Sequence, residues 1–142
     1  MAEEGTISSI EVYLTVANAS AALAFYEKAF GANVTYREMA EDGARVQHAA
    51  LSVFGGHFML SDHFPEFISD VAPGAAEARG CVTVQVNLSS PLEVDGAVAR
   101  AVAAGAVVTA PPADTFWVMR YARVRDPFGH VWAFSAPLSL GS

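Results

Sequence analysis

The sequence predicts an α+β domain made of two βαβββ repeats that form a curled mixed sheet around a cleft. Three observations lead there. The order strand, helix, three strands occurs twice along the chain. Gly31 to Gly55 spans 24 residues, and so does Gly105 to Gly129. The flanking residues repeat as well, Phe30-Gly31-Ala32 against Ala104-Gly105-Ala106 and Phe54-Gly55 against Phe128-Gly129. Together they indicate an internal duplication within a single domain over 1–142, with repeat one at about 7–62, a linker at 63–79 and repeat two at about 80–136.

Ile7 to Ala17 alternates as a strand, with Val12, Leu14 and Val16 on the face expected to meet helices and Glu11, Tyr13 and Thr15 on the other. Ser20 to Phe30 then places Ala22, Phe25 and Ala29 beside Leu23, Tyr26 and Phe30 on adjacent helical stripes, and Gly31 supplies a C-terminal stop. Strands follow at Asn33–Met39, Ala44–Val53 and His57–Ser61, parted by Asp42-Gly43 and Gly55-Gly56, dipeptides suited to tight turns. In the second repeat a strand over Cys81–Asn87 leads to a helix from Pro91 to Ala104. Ser90 and Glu93 make a capping box at its start, with Pro91 in the first turn. Shorter strands are expected near Ala106–Thr109, Val118–Val124 and His130–Phe134. The linker has no period but holds Phe64 and Phe67, and long connections of this kind are often lids; a plain linker whose aromatics tuck onto the sheet is the alternative.

Composition narrows the function. A hydrophobic fraction of 53% with 16% charged residues suits a compact core. The net charge of −7 argues against nucleic acid, which demands a basic face, and favours a neutral or cationic ligand. No apolar run reaches membrane-spanning length, and Met1-Ala2-Glu3-Glu4-Gly5 is acidic where a signal peptide is basic, so no membrane is expected and the cytoplasm is. Cys81 is the single cysteine, which excludes an internal disulfide and a Cys-x-x-Cys zinc site. No cation or histidine near it in sequence would activate its thiol. No Gly-x-Ser-x-Gly elbow or phosphate-cradling glycine loop occurs either.

Two segments carry a resemblance. They are Tyr13-Leu-Thr-Val-x4-Ala-x-Ala-Phe-Tyr-x3-Phe-Gly31-Ala, and Arg123-Val-Arg-Asp-Pro-Phe-Gly-His-Val-Trp132. They resemble the opening and closing signatures of the vicinal-oxygen-chelate superfamily, to which glyoxalase I and the bleomycin-resistance proteins belong. With Phe116-Trp117, Arg120-Tyr121 and Met59-Leu-Ser-Asp62, the chain is most similar to its PhnB-like branch. The resemblance implies a cavity between curled sheets, commonly completed by a second chain, and hence a homodimer. It also implies where metal-dependent members place ligands, on the first and last strand of each repeat. Those positions read Glu11, Met59, Cys81 and Ala133, or Leu60 for Met59 after a one-residue shift. Two of the four have no ligand for a hard divalent cation, so neither metal nor other cofactor is expected.

The expected ligand site is therefore Glu11, Tyr13 and Gln85 for polar contacts, Phe116 and Trp117 for stacking, and Arg120 and Tyr121 for anchoring, with Thr15 and Thr83 on the same strand faces. Glu11 is open to three roles: cation binding, base catalysis, or a structural pair with an arginine. His57 and His130 each follow a glycine turn at equivalent places, which suits fastening the turn. The expected function is a non-metal small-molecule-binding protein that sequesters a cationic or aromatic compound. The competing reading is a metal-dependent glyoxalase-like lyase, isomerase or dioxygenase with an atypical set built from Glu11 and His48, His57 or His130.

Overall fold

The computed structural model describes residues 8–67, 72 and 82–138. The first repeat runs β1 (Tyr13–Val16), α1 (Ala19–Phe30), β2 (Asn33–Met39), β3 (Val46–Val53) and β4 (Gly56–Asp62); the second runs β5 (Thr83–Asn87), α2 (Pro91–Ala103), β6 (Val107–Asp114), β7 (Met119–Arg125) and β8 (Val131–Pro137). Each repeat makes one four-stranded sheet, ordered β1-β4-β3-β2 and β5-β8-β7-β6. In each, the first strand lies parallel to the last, and the other pairings are antiparallel. The α+β class, the duplication and the element order match the expectation, and the two sheets are not hydrogen-bonded into one closed sheet. No helix among the described residues is long and apolar enough to cross a membrane.

Local signals account for the helices. The Asn18 side chain caps α1 by accepting from the Ala21 N–H at 3.1 Å, and Gly31 at φ 71° ends it in the left-handed conformation that glycine adopts freely. Helix α2 opens on the expected capping box, Ser90 accepting from the Glu93 N–H while Glu93 accepts from the Ser90 N–H, with Pro91 in the first turn. Two strands depart furthest from the sequence reading. Regular pairing in β1 covers only Tyr13–Val16, because it is an edge strand with β4 on one side. Strand β6 continues through Pro111 and Pro112, which an outer strand tolerates since half its N–H groups face no partner; its register slips between Ala110 and Ala113 to accommodate them.

The helix-side faces of both sheets meet in one aromatic core. Trp132 of β8 packs on Phe30 at 4.8 Å, Phe58 at 5.3 Å and Tyr26 at 5.6 Å between ring centroids, so a side chain of repeat two sits among three of repeat one. At its centre is the carboxylate of Asp126, only 2% exposed, which accepts from the Tyr26 hydroxyl, the Trp132 indole N–H at 2.9 Å and the backbone N–H groups of Phe128 and His130. This explains the Asp126-Pro-Phe-Gly-His130 segment: one carboxylate shapes the turn and joins the repeats. Asp62 does a similar job in repeat one, holding the Ala19 N–H at 2.8 Å and the Val46 N–H at 2.7 Å.

Burial, then the adjacent Asp126 carboxylate, pushes the Tyr26 phenol well above its ordinary value. The unfolded phenol releases its proton near pH 10, whereas the folded one holds it to higher pH. Stability is therefore whole below about 10 and falls as pH rises beyond it. Urea midpoints at about pH 8 and about pH 11 are expected to differ more for the wild type than for Tyr26→Phe. Equal differences would mean that Tyr26 does not carry the effect.

Candidate functional site

With the helix-side faces in the core, the opposite face of each sheet is left open. In the first repeat this face presents Tyr13 and Thr15 from β1, Met59 and Ser61 from β4, Gln47 and His48 from β3, and Tyr36 and Glu38 from β2. Gln47 and His48 share the face because an extra residue interrupts the register between Glu38 and Met39. Tyr13 reaches across β4 to bond the His48 Nδ1 at 2.8 Å, its ring stacked at 5.5 Å, and Tyr36 lies 5.7 Å beyond. The result is a row of flat rings across the sheet.

A cavity of about 580 Å³ opens against this row, lined by Tyr13, Thr15, Gln47, Ser61, the β2–β3 turn and the start of the linker. Phe64 is buried beneath its wall and Phe67 is 81% exposed at its mouth, so the two linker aromatics border the cavity. Among the described residues Glu41, Asp42 and Glu66 surround it against a single cation, Arg45. The Arg45 guanidinium lies 4.2 Å over the Phe64 ring and is shared between Asp42 at 2.7 Å and Glu66 at 2.7 Å. Backbone N–H groups of Arg45 and Ala44, then the guanidinium, hold the Asp42 carboxyl down at about 2, and Arg45 also lowers Glu66. Both stay ionised at neutral pH, so the mouth is acidic even after Arg45 is counted.

Glu11 lies on the same face and pairs with His57 on neighbouring β4. Of the three roles open to it, the structure shows a side-chain contact of the structural kind, made with a histidine instead of an arginine. His57 also borders a second groove of about 270 Å³, shared with Gln85 and the core-side Val12 and Val86. His130, just before β8, bonds the Thr15 carbonyl at 3.0 Å, so its side chain ties repeat two to β1 instead of fastening its own turn.

The other expected residues belong to the second sheet and do not border the 580 Å³ cavity of their own chain. Phe116 and Trp117 sit at the β6–β7 turn, 92% and 52% exposed, and Trp117 meets Tyr121 edge-on at 6.1 Å. Val118 completes that turn at φ 67°, a strained conformation for a β-branched residue, and so presents an exposed apolar tip. Arg120 requires a correction. Successive strand residues point to opposite faces, and Arg120 points with Ala122 and Val124 toward α2, where it pairs with Asp95 at 3.1 Å and with Asp114 at 3.1 Å. The cation beside Tyr121 on the open face is Arg123, which donates to Thr83.

The metal positions also shift. Leu14 pairs with Leu60 and Val86 with Phe134, and Leu60 and Phe134 each stand five residues after their turn glycine. The counterpart of Leu14 is thus Val86 and that of Glu11 is Thr83, two residues beyond Cys81, which lies outside the described residues. Whichever equivalent set is taken, Glu11, His57, Thr83 and Val131 or Tyr13, Met59, Gln85 and Ala133, an ion would find two good ligands at most where three or four are needed. Among the described residues no three His, Cys, Asp or Glu side chains gather to hold a metal. These residues do not fit the catalytic metal of the fold.

Two βαβββ repeats with paired open faces define a protein of the glyoxalase/bleomycin-resistance architecture. The chain belongs to the Glyoxalase/Bleomycin resistance protein/Dioxygenase superfamily, whose profile matches residues 6–134. An uncharacterized protein of Mycobacterium bovis is 34% identical over 131 residues, covering 92% of this chain and 84% of its own. The crystal structure of TioX from Micromonospora sp. ML1 is similar at 30% identity with a TM-score of 0.70, covering 93% of this chain and all of that one. A PhnB protein from Bacillus cereus shares the fold at 17% identity and a TM-score of 0.68, over 93% of this chain and 100% of its own.

Proposed function

We propose that this protein is a non-metal small-molecule-binding protein of the PhnB-like or bleomycin-resistance-like kind, which sequesters a flat aromatic cation as a homodimer. The observation that carries this reading is the cavity of about 580 Å³, floored by Tyr13, whose ring is held by His48, rimmed by Glu41, Asp42 and Glu66, and already counterbalanced by Arg45. Its volume falls within the roughly 300–1,000 Å³ of small-ligand sites. Flat rings offer a face to planar cations, and ionised carboxylates favour positive over negative ligands.

The dimer is supported by charge. The first open face carries Glu11, Glu38 and the acidic mouth, while the second carries Arg123 and Arg125 beside Tyr121 and Trp117. Within one chain these faces do not share the cavity, so a second copy brings the basic, aromatic face over the acidic one. The exposed tip at Phe116, Trp117 and Val118 gives that contact an apolar anchor. In this arrangement Phe116, Trp117 and Tyr121 close over a ligand resting on Tyr13 of the partner copy, with Gln85 and Glu11 at the rim.

The probe pair is N-methylquinolinium and its anionic counterpart naphthalene-2-sulfonate. The cation is expected to bind and to quench tryptophan fluorescence, and the anion to do neither. Trp132 is only 1% exposed in the core, which leaves Trp117 as the reporter, and Trp117→Ala should abolish the quench. Equal binding of cation and anion would sink the cation reading, and a quench surviving in Trp117→Ala would remove Trp117 from the site. Elemental analysis after growth with zinc, nickel, iron and manganese addresses the non-metal claim. Stoichiometric metal lost in Glu11→Ala would overturn it.

A further inference from the structure

Among the described residues Arg45 is the one cation lining the acidic cavity, and it is held as a ligand would be. Its guanidinium lies over the Phe64 ring at 4.2 Å, donates through Nε to Asp42 at 2.7 Å, and forks to the two carboxylate oxygens of Glu66 at 3.2 and 2.7 Å. A fourth bond, to the His63 carbonyl at 3.3 Å, completes the set. An aromatic plane, a forked carboxylate and a carbonyl around a planar cation are what a binding site for guanidinium or amidinium groups requires.

The contact is also one the chain can release. The side chains of Arg45, Asp42 and Glu66 are 35%, 38% and 44% exposed, and ion pairs this open to water hold weakly. Arg45 precedes β3, in the bend that follows the Asp42-Gly43 turn at the cavity mouth, so its side chain can swing to solvent without disturbing a strand. Phe64, by contrast, is only 8% exposed and stays in place as a fixed platform.

We propose that Arg45 is an internal stand-in for the ligand, filling a subsite for a planar guanidinium or amidinium group made of Phe64, Asp42 and Glu66. This rests on the reading of the cavity as a cation site and adds to the row of rings at Tyr13 a preference for flat cations that also donate hydrogen bonds in their own plane. A ligand of this class exchanges with Arg45, taking over Glu66 and the Phe64 face. The displaced guanidinium is left to water, so the subsite admits a cation only when that cation matches both the fork and the ring.

Phenylguanidinium binding is measured by calorimetry on the wild type, Arg45→Ala, Arg45→Met, and Arg45→Ala combined with Glu66→Gln. Arg45→Met keeps the apolar stem over Phe64 should the alanine variant fail to fold. Removing the internal competitor is expected to tighten binding roughly tenfold in either single variant, and the added Glu66→Gln should cancel that gain. Phenylurea, the neutral isostere, should gain nothing. Binding to the wild type with no gain, or a loss, in the Arg45 variants overturns this proposal alone, since Arg45 would then be a wall of the site. A failure of phenylguanidinium and N-methylquinolinium to bind any of the proteins overturns the cation reading of the whole cavity.

Discussion

Asp126→Ala is expected to lower the stability of the folded protein by at least about 3 kcal/mol, read as a fall in the urea midpoint at unchanged slope. The carboxylate is only 2% exposed and accepts four hydrogen bonds, two of them from the core side chains Tyr26 and Trp132. Alanine leaves the phenol and the indole N–H facing apolar neighbours with no acceptor, and each such orphaned buried donor costs about 1–3 kcal/mol. The Phe128 and His130 N–H groups are closer to water and add less. Because Tyr26 belongs to repeat one and Asp126 to repeat two, the loss should extend to both sheets together as a single cooperative transition. Tyr26→Phe removes one donor and its acceptor stays satisfied by the others, so it should cost only about 1 kcal/mol. If Asp126→Ala costs no more than Tyr26→Phe, the carboxylate is not the tie between the repeats.

Tyr13→Ala is expected to weaken N-methylquinolinium binding roughly tenfold, about 1.4 kcal/mol, without a matching loss of stability. The ring is 47% exposed and lies on the open face, so little core packing goes with it. What is lost is the plane beside His48, and with it the hydrogen bond at 2.8 Å that fixes the imidazole. Tyr13→Phe separates the two contributions: it keeps the plane and removes the bond, and should retain most of the affinity. A titration in which Tyr13→Ala binds as the wild type does would move the ligand off the first sheet.

Much of the fold is legible in the residues because the signals are local. Gly31 and the turn glycines, the Ser90–Glu93 capping box and the strand alternation each act within a few residues, and each appears in the structure where the pattern places it. The edge strand β6 was harder to read, because two prolines normally end a strand and only the lack of an outer partner lets this one continue. The candidate site was legible in part. Tyr13 and Glu11 lie on the predicted face by simple alternation, yet nothing local in the sequence marks Arg45 and Glu66. They stand 21 residues apart, on either side of β3 and β4, and no local period links them.

The sequence by itself determined the element order, the duplication, which face of each strand is buried, and a net charge of −7 that favours cations. It left the strand register undetermined for a physical reason. A one-residue slip turns every side chain to the other face and is forbidden by the hydrophobic pattern, but a two-residue slip preserves the faces and is invisible to it. That is the difference between matching Glu11 with Cys81 and matching it with Thr83, which only the pairing of Thr83 with Val131 in β8 decides. The tertiary structure likewise decided that Arg120 turns to Asp95 while Tyr121 and Arg123 share the open face. It decided too that the two open faces lie apart in one chain, because Trp132, Tyr26 and Phe30 draw the opposite faces of both sheets into a single core.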